Sequence, residues 1–349
     1  MHQPNGVNLN TRLQIAFQAI AAAIIGASAA AVQPPVKLTP QPPSSMPQSN
    51  APGKVVGTIN YRGGHTWTGV IQITSDHVTY QDGVITSEPT GIPQGITFSG
   101  NRRNVTLRNL TLKGVGDGMN IENNQSVDDL VIDNCKFLDC RTPGGDSQDV
   151  LIRGRGYGIF AHAGKNWTIR DSVFQTTTGV PDPTRTTTCS QYAARLGDIH
   201  GLNVSRTRFS NTGQACAWLM FVHAAVFDEA VFEGGPIRIG ARPNDMPGIE
   251  KGDCRNIVFR KCKFTFGSHE NWPAGILIFP GTENITFEDC EITTIADSGW
   301  WLEVDERLTS NIRWKNCKWN GKPVEGYTGI RSSMSPEQMR ARNVGPAEG

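Results

Sequence analysis

The nine residues "NITFEDCEI", Asn284 to Ile292, return along the chain. They reappear as "NVTLRNLTL" from Asn104, "DLVIDNCKF" from Asp129, "NWTIRDSVF" from Asn166, "NIVFRKCKF" from Asn256 and "NIRWKNCKW" from Asn311. Looser copies begin at His77 ("HVTYQDGVI"), Gly201 ("GLNVSRTRF") and Ala224 ("AAVFDEAVF"). Successive copies start about 23 to 37 residues apart, and repeats of that period are stacked coils. In each copy the second and fourth positions are apolar, as in Val105 and Leu107 or Ile285 and Phe287. Plain strand alternation would then bury the sixth and eighth. The inward residues are instead the seventh and ninth, as in Cys135 and Phe137 or Cys290 and Ile292. A one-residue slip of this kind requires a corner between two short strands. Asp or Asn marks it at the sixth position in Asp82, Asn109, Asn134, Asp171, Asp289 and Asn316, residues suited to left-handed turns.

A strand, a corner and a second strand, repeated at this period, make one rung of a parallel β-helix. The apolar runs are too short and too rich in Val, Ile, Thr and Phe for helices. The Leu-dominated consensus of a leucine-rich repeat is missing. Nine rungs at about 4.8 Å per strand give a rod roughly 43 Å long. Cys135, Cys262, Cys290 and Cys317 share the seventh position with Leu110, Ala230 and Gly83, so the thiols read as small buried hydrophobes. Cys189 and Cys216 are the pair to expect if any disulfide forms. The sequons at Asn104, Asn109, Asn166, Asn203 and Asn284 read as turn Asn followed by an outward Thr or Ser. They are not read as glycosylation sites.

The formal charge of +1 over 349 residues gives no electrostatic reason to expect nucleic acid. No cofactor signature and no zinc spacing is present. Residues 33–53 ("QPPVKLTPQPPSSMPQSNAPG") form a Pro/Ser-rich linker. Before it, 1–32 carries two readings. One is a secretory signal with "ASA" (Ala27 to Ala29) at the cleavage position. The other is a retained helix with a heptad seam through Leu13, Phe17, Ile20, Ile24, Ala27 and Ala31, suited to a trimer. At the far end, 326–349 is a cap or tail, with a short helix expected in "SPEQMRAR" behind Ser335 as N-cap.

The rungs from about Val55 to Gly321 resemble the right-handed parallel β-helix of the pectin-lyase-like superfamily, which includes phage tailspikes, pectate and alginate lyases and polygalacturonases. "GVNLNTRLQIAFQAI" resembles N-terminal modules of tailed-bacteriophage tail fibres and tailspikes. The expected fold is therefore all-β: a single-stranded right-handed parallel β-helix of about nine to ten rungs over 54–325. The resemblance implies a virion tail protein that binds, and can depolymerise, a bacterial surface polysaccharide. It also implies a trimer joined to other tail proteins through its N-terminal helix. A secreted polysaccharide lyase or hydrolase and a non-catalytic spike or adhesin remain as alternatives. The chain departs from the polygalacturonase motifs. It has "GDG" at Gly116, "IHG" at Ile199 and "RIG" at Arg238, and no calcium cluster of the pectate-lyase kind.

Strands just before the phrase ("GMNIEN", "GIFAH", "PIRIG", "GILIF", "WLEVD") supply a second wall. Alternation turns Asn120 and Glu122, Phe160 and His162, Arg238, Phe279, and Trp301, Glu303 and Asp305 outward, with Arg195 of "AARLG" beside them. Glu122, His162, Arg195, Arg238, Glu303 and Asp305 are the candidate catalytic groups. Acids suit hydrolysis, and His and Arg suit elimination at a uronic acid. Asn120, Phe160, Phe279 and Trp301 are the candidate sugar-binding groups. Loop acids Asp146, Asp149, Asp198 and Asp245 are further acid candidates, and the insertions that carry most of them read as walls of a groove. His162, His200 and His223 occupy unmatched positions, and no metal site is expected.

Overall fold

The computed structural model describes residues 57–61, 71–87, 94–140, 156–176, 192–211, 215–241, 253–267, 275–294, 299–305 and 309–347. Residues 1–32 with both of their readings, the expected linker, most of the long insertions, Asp146, Asp149, Asp245 and Cys189 lie outside the described residues.

The phrase does what its pattern requires. Each copy lays its two short strands in parallel register on the copies before and after it. Val105, Leu107 and Leu112 pair with Val78, Tyr80 and Ile85, and Ile285, Phe287 and Ile292 with Ile257, Phe259 and Phe264. These strands merge into a 21-stranded sheet that bends round the corners. A ten-stranded parallel sheet forms the other wall: Ile71–Ile73, Ile96–Phe98, Met119–Ile121, Tyr157–Ala161, Tyr192–Gly197, Ala215–Met220, Ile237–Ile239, Ile276–Ile278, Leu302–Val304 and Ile330–Arg331. Among the described strands, only Lys318–Trp319 against Lys322–Pro323 is antiparallel.

All nine sixth positions are left-handed, with φ from 45° at Arg206 to 59° at Asp82. So are all nine first positions, from 53° at Asn104 to 78° at Gly201. The phrase therefore has two corners where the register slip revealed one. A left-handed L-residue costs about 1–2 kcal/mol, less for Asn and Asp. The side chains recover part of this by bonding from rung to rung. Asn311 donates Nδ2 to Asn284 Oδ1 (2.5 Å) and Asn284 to Asn256 (2.9 Å) along the first corner. Asn134 donates to Asn109 (2.8 Å) and Asn109 to Asp82 (2.9 Å) along the sixth. These bonds occupy four of the five sequon asparagines with structural work, at Asn104, Asn109, Asn166 and Asn284.

Inside, like sits on like. Phe137, Phe174, Phe209, Phe232 and Phe264 stack at centroid separations of 4.8, 5.3, 5.2 and 5.2 Å, close to the strand spacing of about 4.8 Å. A second column, Phe227, Phe259 and Phe287, stacks at 4.8 and 5.1 Å. Outside, opposite charges alternate along the fifth position, where Asp133 lies between Arg108 (3.1 Å) and Arg170 (2.8 Å). The Arg170 guanidinium and then Arg108 hold that carboxyl below its ordinary range.

The seventh-position cysteines are buried free thiols, as is Cys216, so no disulfide engages it. They are more than small hydrophobes. Cys262, Cys290 and Cys317 each donate Sγ–H towards the carbonyl two residues earlier, at 3.4, 3.3 and 3.5 Å. Ser172 and Thr207 occupy the same position and make the same bond with hydroxyls, at 2.7 and 2.9 Å. Where the residue at this position can donate, as Cys, Ser and Thr can, it satisfies a carbonyl at the corner; Gly83, Leu110 and Ala230 fill the place without a donor. Burial pushes the Cys135 thiol from 9.0 up to about 11, and Cys216 and Cys254 up to about 12. The folded state keeps these protons after the unfolded chain would release them. Their contribution to stability is therefore complete below pH 9 and is lost as pH rises through about 11 to 12. The melting temperature is expected to hold from about pH 7 to 8.5 and to fall from about pH 9 upward. At about pH 8 the seven described thiols stay unlabelled by DTNB until the chain unfolds. A flat melting curve to pH 11, or several thiols labelled in the native chain, contradicts this.

The C-terminal end is closed. The helix Pro336–Ala341 has Ser335 as N-cap in a capping box with Gln338. Met334, Met339 and Val344 complete the core there.

Candidate functional site

Strand register decides which outward side chains meet. On the ten-stranded sheet Asn120, Phe160, Arg195, Trp218, Arg238, Leu277, Glu303 and Arg331 fall in one column. The structure thus gathers Asn120, Phe160, Arg195, Arg238 and Glu303 as alternation predicts. Glu122, His162, Phe279 and Asp305 stand two residues further on, or one residue past the paired Ile121, Ala161, Ile278 and Val304.

The middle of the column alternates rings and guanidiniums. Arg195 Cζ lies 5.0 Å from the Phe160 ring centre and 5.0 Å from that of Trp218. Arg238 Cζ lies 4.2 Å from Trp218 and 5.2 Å from Phe279. A guanidinium over a ring face is attracted by its quadrupole, and one residue per strand sets the spacing. Arg238 also donates to Tyr192 Oη at 3.0 Å, and Trp218 donates Nε1–H to the Gly240 carbonyl at 2.7 Å. Burial raises the Tyr157 hydroxyl well above its ordinary value, with the Arg195 guanidinium pulling the other way. Arg195 Nε and Asn120 Oδ1 are buried and make no hydrogen bond among the described residues.

Two expectations need correction. The rings are not exposed: Phe160 is 0% accessible, Phe279 2% and Trp218 7%. Asn120 and Arg238 are buried as well, and Arg195 is half-buried. Phe160 and Trp218 pack with Tyr157, Tyr192, Ala215, Met220 and Ala241 into a second apolar cluster outside the rod's main core. Alternation fixes the direction of a side chain and says nothing about what lies over it. Trp301, expected outside, is inside. Its ring meets Phe287 and Trp314 edge-on at 6.0 Å each, and Nε1 donates to the Thr328 carbonyl at 3.2 Å. Trp301 precedes the strand Leu302–Val304, so the strand's alternation does not extend to it.

The candidate catalytic groups do not form one centre. Glu122 and the Glu303–Asp305 pair are six strand spacings apart along the sheet, or about 29 Å. Paired glycosidase carboxyls stand about 5 to 9.5 Å apart. Glu122 is engaged locally, accepting from Asn120 Nδ2 at 2.8 Å. His162 rests edge-on against Phe160 at 4.7 Å. Asp198 is exposed and bonds His200 at 3.0 Å.

At the C-terminal end of the face a group of side chains is partly open, as Glu122, His162 and Arg195 are elsewhere on it. Glu303 and Asp305 are half-buried. Arg331 lies 3.8 Å from Glu303 and stacks over the half-buried Trp300 ring at 5.6 Å. Trp218, Trp300 and Arg331 were missed by sequence reasoning. The strand "ACAWLM" stands before the Ala224 copy as "PIRIG" and "GILIF" stand before theirs, and that offset was the available signal for Trp218. Arg331 follows the last copy of the phrase, where no periodic signal remains.

Residues 193–333 match the family model described as "Right handed beta helix region". The fold is a right-handed parallel β-helix. Solved structures similar to this β-helix include PfbA, a surface adhesin of Streptococcus pneumoniae, at 14% identity and a TM-score of 0.37 over 74% of this chain and 71% of that one. A second PfbA structure gives 12%, 0.32, 81% and 78%. QnrB1, a plasmid-mediated fluoroquinolone resistance protein, gives 9%, 0.16, 80% and 91%. Likenesses this remote add nothing to what the strands themselves show. A comparison with curated proteins gives no match. Among the described residues, no three His, Cys, Asp or Glu side chains gather to hold a metal, and no helix is long and apolar enough to cross a membrane.

Proposed function

We propose that this β-helix binds a bacterial surface polysaccharide at the C-terminal end of its ten-stranded sheet, as a tail protein of a tailed phage. One observation carries the binding site: Trp300, Arg331, Glu303 and Asp305 form a partly open patch of aromatic, cationic and acidic groups. A ring half in water offers a face to a sugar, while the guanidinium and carboxylates bond its hydroxyls or charges. The stack of Phe160, Trp218 and Arg238, all buried, with the half-buried Arg195 between them, is the rigid floor beside the patch. The phage setting, the trimer and attachment through residues 1–32 rest on the sequence resemblance and the heptad seam. Binding is the activity this arrangement serves best, since its acids and bases are strung along the rod.

Purified capsule and lipopolysaccharide of the host are the ligands to test, by biolayer interferometry on the full chain. Trp300→Ala and Arg331→Ala are each expected to weaken binding roughly tenfold or more. No binding by the wild type, or unchanged binding by both variants, ends the proposal. A secreted hydrolase is the second reading, and one pair of neighbours favours it. Glu303, in the strand Leu302–Val304, and Asp305, just past it, are both half-buried acids, and a pair of carboxyls is what glycosidases use. Release of reducing ends by the wild type and not by Glu303→Gln distinguishes it from binding alone.

A further inference from the structure

A second polar ladder runs along the opposite sheet, one residue before the first corner of each phrase. Lys165, His200, His223, Arg255 and Glu283 stand there in register on consecutive rungs. His200 and His223 are direct neighbours, with ring centres 4.7 Å apart and edge to face. Both are open to solvent, with side chains 46% and 30% accessible.

Each ring is held by one nitrogen. His200 Nε2 lies 3.0 Å from Asp198 Oδ1, and His223 Nε2 lies 3.0 Å from the Asp253 backbone carbonyl. A carboxylate and a carbonyl only accept, so in the neutral imidazoles both protons sit on Nε2. Each Nδ1 then carries a lone pair, and neither makes a hydrogen bond among the described residues. A histidine whose far nitrogen is tied to a carboxylate or carbonyl is oriented as metal-ligating histidines are. Two bonds of about 2.1 Å to one ion span up to about 4.2 Å between nitrogens, a separation that neighbouring rings can meet. The charges nearby permit a cation. Arg255 is matched by Asp253 (2.5 Å) and Glu283 (3.2 Å), Lys165 is flanked on its other side by Asp128, and Asp198 adds a negative charge.

We propose that His200 and His223 bind one divalent transition-metal ion of the zinc, nickel or copper class through their Nδ1 atoms. Water fills the remaining positions, and the ion staples two consecutive rungs. No proton is displaced, because both nitrogens are already unprotonated in neutral imidazole. The site is separate from the glycan patch.

The test is calorimetric titration of the full chain with zinc chloride at about pH 7.5, alongside thermal unfolding with and without zinc. The wild type is expected to bind one zinc ion per chain at this site and to melt at higher temperature with it. His200→Gln and His223→Gln, each checked for a native circular dichroism spectrum, are each expected to lose roughly tenfold or more in affinity and to lose the thermal shift. Magnesium, which prefers oxygen ligands, should give neither. Absence of zinc binding in the wild type, or wild-type affinity in either variant, overturns the proposal.

Discussion

Phe259→Ala is expected to lower the free energy of unfolding by about 3–5 kcal/mol, in the range of buried Phe truncations. The ring is fully buried between Phe227 and Phe287, nearly parallel to both, and meets Phe232 and Phe264 edge-on at 6.1 and 5.8 Å. Its neighbours have little freedom to close the gap. Val226, Phe227 and Asp228 on one side, and Thr286, Phe287 and Glu288 on the other, are pinned in register to this strand. A cavity that cannot collapse retains most of its cost. Phe259→Leu, which keeps most of the volume, should cost about 1.5 kcal/mol or less. Guanidinium unfolding followed by far-UV circular dichroism measures both. A loss below about 1 kcal/mol for the alanine variant would show that the column relaxes and that stacking is not what holds the rungs.

Gly234→Ala is expected to be at least as damaging, about 4 kcal/mol or more, or to prevent folding. Gly234 ends the strand Val231–Gly234 at φ +97°. A Cβ there would run into the backbone carbonyl of Asn211. That carbonyl is fixed, because it accepts from the Gly235 amide at 3.0 Å while the Asn211 side chain donates to the Ala215 carbonyl at 2.6 Å. The obstacle is backbone, so no rotamer change relieves it. Gly267→Ala is the contrast. Its Cβ would sit at an ordinary 3.5 Å from the Gly234 carbonyl, and a change within about 1 kcal/mol is expected. Equal melting temperatures for Gly234→Ala and the wild type would refute the clash.

The repeat could be read because each rung repeats the same local problem. Apolar second, fourth, seventh and ninth positions, with Asn or Asp between, state both strands and the corner without reference to any distant residue. The first corner is marked by Asn104, Asn166, Asn256, Asn284 and Asn311, and only the sequons among them, at Asn104, Asn166 and Asn284, pointed to a turn there. It leaves no slip within the phrase, since the residues before it are not part of the repeat. The role of the seventh position was half legible. Cys, Ala and Leu there suggest size, and only the bonds from Ser172 and Thr207 reveal the donor. The histidines show the reverse error. His200 and His223 each stand one residue before a phrase copy and could have been matched by counting, whereas His162 belongs to the other wall.

The sequence by itself determined the coil, its corners, the inward columns and the outward direction of Asn120, Phe160, Arg195, Arg238 and Glu303, because strand alternation and turn chemistry are local. Tertiary structure alone decided that Phe160 and Phe279 are buried, that Trp301 turns into the core while Trp300 stays half-open, and that Arg331 comes to Glu303. Each of those outcomes depends on which residues from other rungs lie above a side chain. Burial is a sum over neighbours distant in sequence, and a periodic pattern carries no record of them.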